Sequence, residues 1–394
     1  MKELIKKNMP FKMMLFFYRF INGNFSFFLW LFPVKKNKIV ICNFHGKPYG
    51  DNGKYIANKL MSEGVDCEIV WLIDKKNAND NLFPGKIKKA NYKSLRGLYE
   101  LSTAKIWIDN CRKDFYPPKR KGQFYIQTWH GGIALKKIEK DVETKLSDIT
   151  IQIAKHDSKI ADLFVSNSDF CTELYRNAFW YNGEILECGS PRCDILLDNK
   201  IEVNKKVRDY FKVDLDANIL IYAPTFRSDL NTKPYDIDFE NLIKVLEKKY
   251  GGKWVILVRL HPNISEKSNF MKYTSSVINA TNYDDMYELL ALSDILVTDY
   301  SSTMFEFSMT NKPVILYAPD IESYLEDRNF YFDIHSLPYP VVEDNHQLFE
   351  AIENFNSNVY AKAIDNFFVK LGVKENGDAS KRIVEKIKQV MLLE

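Results

Sequence analysis

A histidine followed by two glycines is the first candidate for chemistry in this chain. The apolar run 124–128 reads as a strand, and His130, Gly131 and Gly132 come shortly after it. An imidazole exchanges a proton near neutral pH, and glycines let the backbone come close to a ligand. From the residues alone, His130 is either a general base on a turn or a histidine that is hydrogen-bonded within that turn.

The most informative polar cluster lies after the apolar run 295–298. Asp299 comes directly after this run. Three hydroxyl residues stand at the start of a predicted helix over 302–310, namely Ser301, Ser302 and Thr303. Hydroxyls and free backbone N–H groups at a helix start favour a bound anion, although an ordinary helix cap accounts for one hydroxyl. Glu306 lies a turn further on, where it either reaches a ribose hydroxyl or interacts with the helix dipole.

Basic residues stand at the ends of three other predicted strands. Arg227 follows one of them, and Arg259 and His261 lie at the end of another. A cation and an imidazole in such a place can hold phosphate, and the alternative is an exposed basic loop. Arg192 and Asp194 follow a third strand, and we expect these two side chains to pair with each other.

Several well-known signatures are absent from the sequence. The chain has no GxxxxGK[ST] phosphate loop and no GxGxxG, HExxH or GxSxG motif. Its six cysteines form no CxxC pair, so we predict no metal ligands and a reducing compartment. The 55 basic and 52 acidic side chains nearly balance, at a net charge of +3, which argues against a nucleic-acid partner.

Short β-rich runs alternate with helical stretches from residue 38 onward. This alternation predicts an α/β fold with parallel sheets. A charged, turn-containing stretch at 195–217 separates an earlier set of strands from a later one. We therefore expect two doubly wound Rossmann-like domains that face a cleft, at 37–205 and 206–394. Ligands of such sheets bind beyond the carboxyl ends of the strands, where the polar residues described above stand.

The first 36 residues form a segment that is both apolar and basic. Residues 1–40 carry eight basic side chains and one acidic one, a net charge of +7 (8 − 1), which leaves −4 (3 − 7) for the rest. Two apolar runs at 13–21 and 25–34 are broken at 22–24, whereas a bilayer span needs about 20 unbroken apolar residues. We predict that residues 1–36 lie in the interface of an anionic membrane, and the alternative is a helix packed on the protein's own surface.

Seven short motifs occur in the order in which they occur in the CDP-glycerol glycerophosphotransferase family, which builds teichoic acids and related glycerol-phosphate polymers. They are Gly-Lys-Pro-Tyr-Gly-Asp-Asn at 46–52, Gln-Thr-Trp-His-Gly at 127–131, Gly-Ser-Pro-Arg-Cys-Asp at 189–194, Tyr-Ala-Pro-Thr-Phe-Arg at 222–227, Arg-Leu-His-Pro at 259–262, Thr-Asp-Tyr-Ser-Ser-Thr at 298–303 and Asn-Phe-Tyr-Phe-Asp at 329–333. Each motif is short, but the ordered set is specific, and the chain resembles this family over most of its length. It departs at 132–133, where many members carry a Thr-Pro-Leu-like turn.

The resemblance implies a GT-B-like fold, with the nucleotide bound mostly by the second domain, and an enzyme that uses a CDP-activated polyol phosphate. It assigns His130 as the base and His261 as a diphosphate contact. We then expect an acceptor hydroxyl to attack the β-phosphorus of CDP-glycerol and to expel CMP. The remaining expected substrate-binding residues are Gly131, Arg227, Arg259, Asp299, Ser301, Ser302, Thr303 and Glu306.

The expected acceptor is a lipid-linked glycan or polyol phosphate, which the protein would meet at the cytoplasmic face of the cell membrane as a peripheral protein. The product would be a teichoic acid or a capsule-type polymer. The donor is the one small-molecule ligand assigned, and a Mg²⁺ requirement and the oligomeric state are left open. Three alternatives remain: a CDP-ribitol donor, a GT-B glycosyltransferase that uses a nucleotide sugar, and a catalytically inactive membrane scaffold.

Overall fold

The computed structural model describes residues 27–74, 82–198, 201–227, 235–260, 271–322, 324 and 329–392. Over this part of the chain the protein consists of two parallel β-sheets with helices packed against them. Two predictions fall outside the described residues. They are the role of His261 and the arrangement of residues 1–26 of the expected membrane segment.

The strands of the first sheet are β1 (Lys35–Cys42), β2 (Glu68–Ile73), β3 (Lys88–Asn91), β4 (Ala104–Asp109), β5 (Phe124–Gln127), β6 (Leu163–Ser166) and β7 (Glu184–Glu187). They lie in the order β3-β2-β1-β4-β5-β6-β7, and all neighbours pair in parallel. The order therefore reverses between β1 and β4. In open α/β sheets the loops on either side of such a reversal diverge and leave room for a ligand.

The strands of the second sheet are β8 (Asn218–Tyr222), β9 (Trp254–Val258), β10 (Val277–Asn279), β11 (Ile295–Thr298), β12 (Val314–Tyr317) and β13 (Val341–Val342). They lie in the order β10-β9-β8-β11-β12-β13 and are also parallel. The central strands are runs of buried aliphatic residues because helices cover both faces of the sheet. Here the strand order reverses between β8 and β11.

The α-helices are α1 (Asp51–Ser62), α2 (Leu95–Thr103), α3 (Asp148–Ile160), α4 (Asp169–Ala178), α5 (Asp194–Leu197), α6 (Ile201–Phe211), α7 (Phe239–Tyr250), α8 (Met286–Leu292), α9 (Thr303–Phe307), α10 (Asn345–Glu353), α11 (Ser357–Leu371) and α12 (Ala379–Leu392). Short polar side chains cap many of them. Ser94, Ser147 and Ser168, for example, each accept a hydrogen bond from a backbone N–H in the first turn of α2, α3 and α4. Such caps fix where each helix starts.

The last helix returns to the first sheet. Ile383 and Ile387 of α12 are fully buried in one cluster with Ile41 and Trp71 of β1 and β2. The carboxylate of Asp194 accepts from the N–H groups of Ala379 and Ser380, at 3.0 and 2.8 Å, and so caps the start of α12. Although α12 lies within the range 206–394 assigned to the second domain, it therefore completes the core of the first sheet.

The two sheets are also joined through α1 and the start of α8. Lys54 of α1 is buried and pairs with Asp285 at 2.5 Å and with Glu288 at 2.6 Å. The hydroxyl of Tyr55 donates to Asp285 as well, at 3.0 Å. If α1 and α8 separated, each of these buried charges would lose the opposite charge that compensates it. The ion pairs therefore favour one relative arrangement of the two sheets.

The predicted α/β fold with two parallel sheets is confirmed. The apolar runs at 124–128 and 295–298 are the strands β5 and β11, and strands precede Arg192, Arg227 and Arg259 as expected. Three short strands at or near sheet edges were missed, namely β3, β10 and β13. The first sheet ends at Glu187 and the second begins at Asn218, so the exact domain boundary near residue 205 stays a prediction.

The described chain begins with an exposed apolar stretch at 27–32. Phe28 and Leu31 are 67% and 81% exposed, whereas Leu29 is buried. The guanidinium of Arg120 donates to the backbone carbonyls of Trp30 and Phe32 and so ties this stretch to the first sheet. Among the described helices, none combines the length and the hydropathy that a transmembrane span requires.

Candidate active site

His130 lies in the loop after β5, at the carboxyl end of the first sheet. Its Nδ1 atom is 2.6 Å from the backbone carbonyl oxygen of Asn110, in the loop after β4. A carbonyl only accepts, so Nδ1 carries the proton and the neutral imidazole keeps its lone pair on Nε2. Within the described part of the chain, Nε2 has no hydrogen-bond partner. The ring is therefore held in the tautomer that a general base needs.

The environment of His130 keeps its imidazole neutral. Burial lowers the pKa of His130, and the carbonyl of Asn110 and the carboxylate of Asp51 oppose this in part. The ring of Trp129 lies 4.4 Å from the imidazole between centroids, and the ring of Phe44 lies 5.3 Å away. The partner of Nδ1 lies in another loop, so His130 is not hydrogen-bonded within its own turn, and the role of Nε2 as a general base stays a prediction.

Of the two glycines after His130, one is required by packing. A Cβ atom on Gly132 would overlap the side-chain amide of Asn167, whereas the nearest atom to a Cβ on Gly131 would be 4.0 Å away. Gly131 is half-buried beside the imidazole. The expected substrate contact of Gly131 stays a prediction, and Gly132 has a structural role.

Backbone strain is concentrated around the imidazole. Phe44, His45, Asp51 and Trp129 all have left-handed backbone conformations, with φ values from 42° to 56°. Bulky side chains rarely adopt this region, and such residues collect at functional sites where the surrounding contacts hold them in place. In this protein the N–H of Phe44 donates to the side-chain oxygen of Asn110 at 2.8 Å.

Arg192 joins this region to the second sheet. Its guanidinium donates to Asp51 at 2.7 Å and to Glu306 of α9 at 2.6 Å. The hydroxyl of Tyr287 donates to the other oxygen of Glu306. The expected pairing of Arg192 with Asp194 is wrong, because Asp194 caps α12 instead. Both oxygens of Glu306 are engaged, so its expected ribose contact stays a prediction that requires one of these bonds to open.

A cleft of about 420 Å³ lies at the carboxyl ends of β8, β9 and β11, where the strand order of the second sheet reverses. This is the place where a doubly wound sheet binds its ligand. The cleft is lined by Lys136, Ala223, Pro224, Thr225, Phe226, Arg259, Leu260, Met286, Ser301, Thr303 and Tyr324. Three predicted substrate-binding residues are thus brought together, Arg259, Ser301 and Thr303.

The loop that carries His130 forms one wall of this cleft. The N–H of Lys137 donates to the carbonyl of Asn329 at 2.8 Å, and the N–H of Tyr331 donates to the carbonyl of Leu135 at 2.8 Å. These bonds place Lys136 in the cleft, with its ammonium group 5.2 Å from the ring centroid of Tyr324. The loop after β5 therefore carries both the imidazole of His130 and a cation that faces the cleft.

The start of α9 differs from the expected anion site. The predicted helix over 302–310 is an α-helix only from Thr303 to Phe307 and continues as a 3₁₀ turn. The N–H of Thr303 donates to the hydroxyl of Ser301, and the N–H groups of the next two residues donate to the carbonyls of Ser301 and Ser302. Three of the N–H groups at this helix start are thus already bonded, and Ser301 and Thr303 line the cleft. Ser302 does not line the cleft.

Arg227 and Asp299 form one buried unit beside the cleft. Arg227 pairs with Asp299 at 2.9 Å and with Asp320 at 2.5 Å. Asp299 also accepts from the N–H of Thr225 at 2.9 Å. Burial opposes the charge on Arg227, but the two carboxylates raise its pKa above the ordinary value. The pair shapes the loops after β8 and β11, and direct substrate contact by either residue stays a prediction.

The guanidinium of Arg259 is turned toward the backbone. It donates to the carbonyls of Ala280 and Tyr283 at 3.2 and 2.5 Å, and burial lowers its pKa. The next residue but one, His261, lies outside the described residues. Among the described residues, no cluster of three or more His, Cys, Asp or Glu side chains is arranged to bind a metal ion. A larger groove of about 920 Å³, between α7 and residues 271–277, contains none of the predicted site residues.

Sequence reasoning gave no role to Asp51, Asn52 and Asn110. The first two belong to a motif that was quoted for the family resemblance, and Asn110 directly follows a buried strand, so both signals were present in the sequence. The amide of Asn52 donates to the carbonyl of Trp129 at 2.9 Å and its oxygen accepts from the N–H of Arg192 at 3.1 Å. These residues hold the histidine loop in place.

Comparison with known proteins points to one family. Residues 24–389 match the family model described as CDP-Glycerol:Poly(glycerophosphate) glycerophosphotransferase. The chain is 33% identical to a teichoic acid poly(glycerol phosphate) polymerase of Staphylococcus epidermidis, over 89% of this chain and 50% of that protein. It is 32% identical to a teichoic acid glycerol-phosphate transferase of Staphylococcus aureus, over 89% of this chain and 93% of that protein. The chain thus spans about half the length of the first relative and nearly all of the second.

A solved structure of the wall teichoic acid polymerase TagF, from a crystal soaked with CDPG (CDP-glycerol), has the same fold. It superposes with a TM-score of 0.81 at 31% sequence identity, over 91% of this chain and 90% of that chain. The residues matched by the family model include the histidine loop, the cleft and both sheets. This chain belongs to the CDP-glycerol:poly(glycerophosphate) glycerophosphotransferase family.

Proposed function

We propose that this protein transfers glycerol phosphate from CDP-glycerol to a hydroxyl group of an acceptor, with release of CMP, in teichoic acid synthesis. The observation that carries the proposal is the imidazole of His130, whose Nδ1 is fixed by Asn110 and whose Nε2 is left as a base. Family membership and the relatives' names support the donor and the polymer. The cleft at the reversal point of the second sheet provides a place for the donor.

In the proposed reaction the acceptor oxygen forms a bond to the β-phosphorus of CDP-glycerol. Nε2 of His130 takes the proton of that hydroxyl, and the bond between the β-phosphorus and the bridging oxygen breaks, so that CMP leaves with the electron pair. Such transfers depend mainly on positioning and on charge stabilisation, and a base is typically worth about 10²–10⁴-fold. Lys136, Ser301 and Thr303 would contact the phosphate groups. The family resemblance assigns His261 as a further diphosphate contact.

We also propose that the acceptor is lipid-linked and that the protein meets it at the cytoplasmic face of the membrane. Support comes from the exposed side chains of Phe27, Phe28 and Leu31, which are 62%, 67% and 81% exposed. Basic side chains surround them in the sequence, with Lys35 and Lys36 close after. Apolar groups beside cations are typical of segments that insert into an anionic bilayer surface.

The test is a donor and acceptor assay with the purified full-length chain. We would incubate it with CDP-glycerol, CDP-ribitol or a UDP-sugar, each with candidate lipid-linked glycans, and measure nucleotide release and product mass, with Mg²⁺ and with EDTA. We expect CMP release and an added mass of one or more glycerol phosphates. His130→Gln should lose transfer, whereas the matched control His346→Gln, at an exposed histidine of α10, should keep it. UDP release, or no turnover with any acceptor, would contradict the proposal.

A further inference from the structure

A closed ring of hydrogen bonds holds the loop of His130 and includes Asn110, the residue that accepts from its imidazole. Asn110 joins the imidazole to Asp51, since its carbonyl accepts from Nδ1 and its amide donates to the Asp51 carboxylate at 2.9 Å. Asp51 accepts from Arg192, and the backbone N–H of Arg192 donates to Asn52. Asn52 in turn donates to the carbonyl of Trp129, next to His130. The ring thus joins the loops after β4 and β5 to the start of α1 and to the turn that contains Arg192.

One bond leaves this ring toward the second sheet. It is the ion pair between Arg192 and Glu306, at 2.6 Å, and Glu306 lies three residues after Thr303 of the donor cleft. The side chains of Arg192 and Glu306 are 5% and 2% exposed. The guanidinium packs 4.9 Å from the ring centroid of Tyr287, which also holds Glu306. Besides the backbone bonds of Leu135 and Lys137 described above, the buried guanidinium of Arg192 thus connects the donor cleft to the base.

We propose that Arg192 is a positioning residue for the transfer reaction: by holding Asp51 and Glu306 together, it places the imidazole of His130 in register with the donor cleft. The proposal rests on the proposed function. Loss of one partner from a buried ion pair leaves the other charge uncompensated, so the loops would move apart or admit water. A small displacement of a base from its reacting atom is enough to cost about 100-fold in rate.

The charges of this network also act on His130 itself. Asp51 raises the pKa of His130 and Arg192 lowers it, both to a lesser extent than burial, which lowers it. From the loop before α1, His45 lowers it as well. On the other side Arg112 lies 5.4 Å from the ring centroid of Trp129, and its charge is compensated by Glu139 and Asp157. Arg192 and Asp51 should therefore shift the pH profile in opposite directions.

The experiment measures kcat, KM for CDP-glycerol and the pH dependence of kcat in Arg192→Met, Arg192→Lys and Asp51→Asn. We expect kcat to fall about 10- to 100-fold in Arg192→Met with a much smaller change in KM. The acid limb of the pH profile, where kcat falls as the pH is lowered, should move to higher pH in Arg192→Met, because the charge of Asp51 remains. It should move to lower pH in Asp51→Asn. Arg192→Lys keeps the charge and should return the limb toward its wild-type position. Glu306→Gln should lower kcat as Arg192→Met does.

The control is Arg208→Met. Arg208 is also a buried arginine, and it donates to the backbone carbonyls of Asp214 and Ala217 away from this network. Its loss should lower the melting temperature without moving the acid limb. If Arg192→Met and Asp51→Asn melt earlier but keep the wild-type limb and kcat, Arg192 has only a structural role and the proposal is overturned. CMP release by the wild-type enzyme is measured in the same assay. A wild type that releases no CMP would contradict the proposed function, and this result is distinct from a failure of the role of Arg192.

Discussion

The imidazole of His130 and the backbone carbonyl of Asn110 are joined by a hydrogen bond of 2.6 Å between two loops of the first sheet. One loop follows β4 and the other follows β5, so neighbouring parallel strands bring the two residues together. Because the acceptor belongs to the main chain, the tautomer of the histidine is fixed by the fold rather than by a second ionisable side chain.

The side chain of Asn110 should support the site without acting in the chemistry. It accepts from the N–H of Phe44 and donates to Asp51, and it is fully buried. Asn110→Ala keeps the carbonyl that holds His130 but leaves these partners unsatisfied, which should cost about 1–3 kcal/mol of unfolding free energy. Urea denaturation checks this value, and kcat should fall with the KM for the donor nearly unchanged. Wild-type stability and turnover would contradict the assignment.

The pH dependence of transfer should carry the signature of a buried histidine. The base works in its neutral form, so activity is lost as the pH falls through the pKa of His130. Since burial lowers this pKa, kcat should stay high at mildly acidic pH, where an exposed histidine with a pKa of about 6.5 would be largely protonated. A pH series of kcat measures the limb. An acid limb at a pH above the usual range of histidine pKa values would show that another group is titrating.

The two glycines after His130 should respond differently to alanine. In Gly132→Ala the new methyl group would overlap the buried amide of Asn167, so the loop must shift and activity should fall strongly. In Gly131→Ala the atom nearest to the methyl group would be Cδ1 of Trp129 at 4.0 Å, an ordinary contact, and stability should stay within about 1 kcal/mol of the wild type. Thermal melts and turnover of both variants decide this, and equal behaviour of the two would contradict the packing argument.

Hydroxyl groups of the donor cleft should matter in pairs. Ser301 and Thr303 line the cleft, whereas Ser302 does not. The double variant Ser301→Ala with Thr303→Ala should weaken CDP-glycerol binding about tenfold, as expected for the loss of one to two net hydrogen bonds. Ser302→Ala is the matched control and should bind as the wild type does. Titration calorimetry measures both, and an unchanged affinity of the double variant would remove these hydroxyls from the donor site.

Removal of residues 1–34 should weaken membrane binding. This segment contains the exposed side chains of Phe28 and Leu31 and several basic residues. Each basic residue near an anionic surface contributes about 1 kcal/mol. Co-sedimentation with vesicles of phosphatidylcholine, with and without phosphatidylglycerol, should show binding of the full chain to the anionic vesicles alone. A truncated chain that sediments equally well would place the docking surface elsewhere.

The fold could be predicted where burial leaves a clear pattern in the sequence. Central strands such as β8 and β11 are apolar runs, so their positions follow directly from the residues. The strand β3 reads Lys-Lys-Ala-Asn and was missed, because an edge strand exposes most of its side chains and carries no apolar signal. The return of α12 to the first sheet depends on contacts between distant residues such as Ile41 and Ile387, which no local pattern reveals.

The types of residue in the candidate site could be predicted from the sequence, but the pairs that these residues form could not. His130, Ser301 and Thr303 were recognised because such groups after a strand favour proton transfer or anion binding. The partner predicted for Arg192 was wrong. Asp194 was chosen because it is close in sequence, whereas the observed partners, Asp51 and Glu306, are 141 and 114 residues away. The role of Asn110 was missed because its carbonyl, which any residue has, holds the imidazole.

The position of α12 has a consequence for how this protein is made. The first sheet is synthesised before the second, yet the helix that covers one of its faces follows every strand of the second sheet in the chain. Until then the apolar side of β1 and β2 has no cover from this helix, so the nascent first half must wait, or be shielded by a chaperone, while the second half is translated. A fragment cut near residue 205 would leave that face open and would be expected to aggregate.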